Sequence, residues 1–233
     1  ALVYYDKAVL LQAEGRLEEA LAMCERVISE QAFSKLACAT ALLRKGEIFR
    51  ALSRPEKALE TYDKLLTDYP GRLDLCPVAM LGKGVVFRGQ GRFSEALEAY
   101  QRVIKDFHSQ SKFCVDAHVA LATTHALRGD RKSLLAAVEK YLDFERGDEA
   151  FHAAFHPEET ASLVETQQPA SNPSSSRFDF ASALAAYARG SDQEAMQHLL
   201  DCLEHTPVSA KDDFIVLEAK DLIRAWEVPG GQK

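Results

Sequence analysis

Two histidines set four residues apart, His152 and His156 in FHAAFHPEE, form the most suggestive metal-binding spacing in this sequence. Residues at i and i+4 share a helical face, so both imidazoles would address one ion if a third ligand joined them. Glu158 and Glu159 follow, but the glutamate that a zinc hydrolase carries directly after its first histidine is missing, because Ala153 stands there. The pair is therefore expected to be structural, and no metal is assigned. His118 and His125 lie one heptad apart; His125 takes a slot held elsewhere by Phe49 and Phe87, so packing is its expected role. Gly82–Gly91 reads GKGVVFRGQG, yet its glycines fall where helix packing and a turn call for them. No GxSxG, Walker-type or GxGxxG pattern occurs in its required strand context. Glu18, Glu19, Glu56 and Glu95 sit in first helical turns, where they complement the helix dipole instead of forming an acid–base pair. No catalytic residue and no cofactor are nominated, and the chain is not read as an enzyme.

Composition narrows the remaining classes. Of 233 residues, 47% are apolar and 27% charged, the proportions of a folded globular protein. A net charge of −7 and a pI near 5.6 argue against nucleic acid or anionic membrane as partner. No apolar run approaches the roughly 20 residues of a membrane span. No charged-then-apolar leader opens the chain, which begins mid-pattern at ALVYYDKAVLLQ as a trimmed or mature protein would. The five cysteines, Cys24, Cys38, Cys76, Cys114 and Cys202, lack CxxC spacing. Three of them recur at one fixed interval, as small residues filling equivalent packed slots, about 10 Å apart between stacked helices and too distant for a disulfide. A reducing compartment is expected, hence the cytoplasm, with the bacterial periplasm as alternative if a leader was removed.

That interval is the main organising feature. Between Ala39 and His108 the chain nearly repeats itself after 38 residues: Gly46 returns as Gly84, Phe49 as Phe87, Arg50 as Arg88, Ala58 as Ala96 and Tyr62 as Tyr100. Around these positions apolar residues recur at helical spacing, interrupted by Gly15, Ser53, Gly91 and Gly129, again 38 apart. Each unit reads as two antiparallel helices joined by a tight turn. At the second turn Ser53 is expected to act as an N-cap, with Pro55 near the first helical position. Four hairpins follow by register: Ala1–Ser34, Lys35–Arg72, Leu73–Ser111 and Lys112–Gly147. Small residues at Gly46, Gly84, Ala20, Ala58 and Ala96 let helices approach, and Tyr62 and Tyr100 fill the opposing grooves. The register fails over 148–177, where Gln167–Arg177 is rich in Pro, Ser and Asn and reads as a linker. A fifth hairpin spans Phe178–Pro207, and Ala210–Trp226 reads as a terminal helix covering the exposed edge of that hairpin. Residues 228–233 form a tail.

Gly46, Phe49, Ala58, Tyr62 and Pro70, with Gly84, Phe87, Ala96 and Tyr100, resemble the tetratricopeptide repeat signature of small, aromatic, alanine, aromatic and proline residues. The period departs from the family's usual 34, and similar extended periods occur in bacterial members. The extra residues fall in the join TDYPGRLDLCP, long enough for one more helical turn or a longer loop. The resemblance implies an all-α, right-handed superhelical solenoid of antiparallel helix hairpins whose first helices line a concave groove. It places Tyr5, Leu43, Glu47, Arg50, Leu81, Val85, Arg88 and Val119 in that groove. Some members hold a C-terminal carboxylate through Lys and Asn; here Tyr5, Val9, Glu47 and Val78 stand at those points, which argues against that mode. The resemblance implies a protein-interaction scaffold; the groove residues themselves, apolar with Arg50 and Arg88 stacked one repeat apart, suit an amphipathic helix or extended peptide with an acidic residue. Alternatives are a regulatory or sensor module of a larger protein, a homo-oligomer assembling through repeat surfaces, and a groove covered by Phe151–Pro173 of the chain itself.

Overall fold

The protein is described from a computed structural model covering residues 2–30, 34–109, 111–147, 173–206 and 214–227. Among these residues the chain is all helical. It divides into two compact units, Ala1–His108 and Ser109–Lys233, so the fourth hairpin groups with the fifth instead of with the first three.

The first unit contains three hairpins: α1 (Leu2–Ala13) with α2 (Leu17–Glu30), α3 (Lys35–Ala51) with α4 (Pro55–Asp68), and α5 (Cys76–Gly89) with α6 (Phe93–Asp106). α2 also packs on α3 and α4 on α5, and α3 touches both α1 and α5. The second unit contains α7 (Ser111–Leu127) with α8 (Arg131–Gly147), α9 (Pro173–Arg189) with α10 (Asp192–Glu204), and α11 (Phe214–Glu227).

All five hairpin turns are built alike. Gly15, Gly91, Gly129 and Gly190 have φ of 72–92°, the left-handed region in which a β-carbon is strained. Ser53 has φ 54°, so it occupies the glycine position itself. The expected Ser53 N-cap is thus corrected: Arg54 is the cap residue, without a side-chain cap bond, and Pro55 is the first helical residue. The reason lies in the backbone. Ser53 N donates to Arg50 O at 3.0 Å and Arg54 N to Phe49 O at 2.9 Å, and Gly91 and Arg92 make the same two bonds at 2.9 Å each. The turn's closure demands a positive φ whatever residue stands there.

The extra residues of the long period are used in two ways. They lengthen α3 and α7 to 17 residues, while α5 has 14 and is preceded by turns from Pro70 to Leu75. Pro77, in the first turn of α5, supplies no amide to bond a carbonyl four residues earlier, which opposes an earlier start. At α9 the linker expectation is corrected: the helix begins at Pro173, five residues ahead of Phe178. Proline is pre-organised for a first helical position, where its missing amide costs nothing. Residues 148–172, with His152, His156 and most of Phe151–Pro173, lie outside the described residues, as does the 228–233 tail.

The core of the first unit rests on tyrosines seated in glycine slots. Tyr62 and Tyr100 are fully buried. A β-carbon added at Gly46 would overlap the Tyr62 ring, one at Gly82 would come within 2.7 Å of its Cζ, and one at Gly84 would overlap the Tyr100 ring. Tyr62 is thus held between its own hairpin and the next. One period earlier the same slot pairs Cys24 with Ala8, and one period after Tyr100 it pairs Val138 with Ala122, all buried. Ring size and slot size change together, as close packing requires. No disulfide joins the five cysteines, which are all buried.

Candidate functional site

In the first unit α3 touches both α1 and α5, and four of the eight residues expected in a groove, Leu43, Glu47, Arg50 and Val85, are half-buried or exposed on α3 and α5. Leu43 and Glu47 lie one turn apart on α3, half-buried, and Arg50 at its C-terminal end is exposed. Arg44 Nη1 donates to Glu47 Oε2 at 2.9 Å and to Gln12 Oε1 at 3.5 Å, linking α3 to α1. Burial pushes the Glu47 carboxyl above the usual carboxylate range, and the Arg44 and Arg50 guanidiniums pull it back. Burial likewise pushes the Tyr62 phenol up to about 12, opposed by the Arg50 charge and by a hydrogen bond to Arg50. Two cations therefore flank one half-buried carboxylate, beside the half-buried aliphatic groups Leu43, Val78 and Val85. Such a surface offers apolar contact plus a net positive point at Arg50.

The other expected residues are placed differently. Leu81 is 5% exposed and Arg88 6%, so Arg88 is not an exposed cation stacked one repeat from Arg50. The period puts both arginines at the same helical position but leaves their surroundings to the tertiary structure. Val119 is fully buried in the core of the second unit. Tyr5 belongs to α1, and its side chain is outside the described set. Arg44 was absent from the expected residues although it completes the cluster. The signal for it was the period itself: Arg44 stands where Gly82 stands one repeat later, and the Cys24 thiol replaces a tyrosine ring there. The Arg44 charge acts on that thiol, which burial raises to about 11.

The remaining chemistry-bearing residues do not converge. His118 and His125 are both lowered by burial; His125 Nδ1 lies 3.8 Å from Asp130, and no cluster of three metal-ligating groups exists among the described residues. A cavity of about 180 Å³ opens in the first unit between α4, α5 and α6, floored by Leu66, Met80, Phe87 and Ala99. Lys83, Glu95, Glu98 and Arg102 also line it; Lys83 is engaged by Asp63 and Glu95 by Arg92.

The second unit shows what these faces can hold. The terminal helix α11 packs on α10, as expected of an edge cover, but it packs equally on α7 and also touches α9. Ile215, Ala219, Leu222 and Ile223 of α11 join Val115, Val119, Ala122 and Ala126 of α7 in one buried cluster.

No curated protein sequence matches the chain. Solved structures do, at the level of fold. Tetratricopeptide-like repeats of a Podosopora anserina kinesin light chain-like protein are 17% identical, with a TM-score of 0.59 over 90% of this chain and 94% of that one. A thermophilic TPR protein of Thermus thermophilus, TTC0263, is 19% identical at TM-score 0.54, over 95% and 98%. MamA from Desulfovibrio magneticus RS-1 is 15% identical at TM-score 0.53, over 87% and 93%. The tetratricopeptide repeat family model matches residues 5–72 and 81–150, together more than half the chain. With its antiparallel hairpins, glycine-seated tyrosines and left-handed turns, the chain belongs to the tetratricopeptide repeat family.

Proposed function

We propose that this chain is a non-catalytic protein-interaction scaffold whose first unit receives an acidic peptide or helix on the face of α1, α3 and α5. The observation that carries this reading is the exposed Arg50 beside the half-buried Arg44–Glu47 pair, set among Leu43, Val78 and Val85. Apolar contacts supply area there, and the cation selects an acidic residue and its register. Leu81 and Arg88 are buried and take no direct part in this contact. Replacing Arg50 by Glu reverses the one exposed charge of the cluster and also removes the hydrogen bond from Arg50 to the Tyr62 phenol, so the variant is compared at matched fold. Affinity capture from the native host with wild-type and Arg50→Glu chains, compared at equal helicity by circular dichroism, tests it. A partner retained by wild type and lost by the variant is expected; equal recovery removes this face from consideration.

A self-associating reading is favoured by a separate observation. Leu10 of α1 is 63% exposed and Leu36 of α3 60%, large apolar groups on neighbouring helices. Light scattering of wild type against Leu10→Asp/Leu36→Asp decides it, a monomeric wild type ending the idea.

A further inference from the structure

The face shared by α7 and α9 is the second unit's counterpart of the groove face on α3 and α5, and α11 lies across it. A further hairpin stacked in register would meet α9 and α10 and stand one hairpin away from α7. Instead α11 packs as closely on α7 as on α10, so it has folded back over the first helices. Its apolar stripe, Ile215, Ala219, Leu222 and Ile223, is buried with Val119, Ala126 and Tyr187. At its far end Trp226 stacks on Tyr187, with ring centroids 4.3 Å apart and planes 20° from parallel. The Arg131 guanidinium lies 4.6 Å from the same Tyr187 ring, and two such partners take opposite faces of it. Arg131 is itself held by Asp192 at 2.7 Å.

We propose that the α7–α9 face is a helix-binding site occupied in cis by α11. Its external ligand is an amphipathic partner helix carrying apolar residues at the spacing of 215, 219, 222 and 223 and an aromatic residue at that of 226. Two features fit α11 to the role of a ligand, although its apolar stripe is part of the second unit's buried cluster. It lies on the hairpins and not between them: α7 with α8, α8 with α9, and α9 with α10 all pack directly. Its buried face also includes a carboxylate, Glu218, 2% exposed. Even when it is partnered, an acid in such a seam favours docking less than an aliphatic residue of similar size would, which suits a contact that must release. Partner binding at this face is thereby coupled to ejection of the C-terminal helix.

The test uses the whole chain and its single tryptophan. A synthetic peptide of residues 214–227 carrying Trp226→Phe is titrated into the wild-type protein while Trp226 emission is followed. A saturable red shift is expected as α11 leaves Tyr187 for water, with no shift from a peptide that also carries Leu222→Asp. Hydrogen exchange on the protein alone should show α11 amides exchanging at least about 10-fold faster than those of α7 and α9, through a local opening. Emission unmoved at peptide excess, a shift caused equally by the Leu222→Asp peptide, or α11 exchanging only together with α7 and α9 would each make α11 a fixed part of the core and overturn the proposal.

Discussion

At the scale of single residues, the period is enforced by volume. Gly84 is obligatory while Tyr100 is its neighbour, because a β-carbon there overlaps the ring. Gly84→Ala is expected to cost about 1–3 kcal/mol, the range for overpacking a closed site, measured by urea unfolding. Adding Tyr100→Val recreates the small pair that the chain uses at Ala122 and Val138. The double variant should therefore be more stable than the summed single losses imply, and strictly additive losses would contradict the slot argument. Ser53 is the other residue under local constraint, since its φ of 54° is a conformation that side chains resist. Ser53→Gly should stabilise the protein by about 0.5–1 kcal/mol after the greater unfolded-state freedom of glycine is deducted. The glycine turns were legible from spacing. The left-handed Ser53 was not, because serine's better-known role at helix starts offered a competing explanation.

At the scale of elements, the fifth hairpin is fastened by a titratable pair. His205 caps the C-terminal end of α10 and approaches Asp179 on α9 at 2.9 Å. The hydrogen bond to Asp179 raises the histidine above its usual value, as do the nearby Asp201 and Glu204 charges. A folded-state value above the unfolded one of about 6.5 means that this stabilisation is complete below that pH. It is lost as pH rises through the folded-state value. Thermal melts of wild type and His205→Gln should therefore differ more at about pH 5.5 than at about pH 8. A constant difference would show that His205 acts only by packing. Helix positions were readable from periodicity because each hairpin carries its own apolar stripe. The start of α9 at Pro173 was not, since a stretch rich in Pro and Ser has no stripe to read, and a proline is compatible both with a linker and with a first helical turn.

At the scale of the whole molecule, all five thiols are buried, and burial raises those of Cys24, Cys76 and Cys114. An Ellman-type reagent should label the native protein slowly and all five cysteines rapidly once it is unfolded in guanidinium. Fast labelling of one thiol in the native state would locate a local opening. The sequence by itself determined the repeat unit, its antiparallel helices, its turns, and the side of each hairpin that faces its neighbours. These depend on contacts between residues within one or two periods, which appear as spacing along the chain. Only the tertiary structure decided which of the equivalent faces stays open. Arg50 and Arg88 share a position in the repeat, yet one is exposed and the other buried. Val119 matches Leu43 by register but lies in a cluster that α11 helps to close. Spacing records what each helix presents. It carries no record of a helix from far along the chain returning to cover that surface, because such a contact has no period.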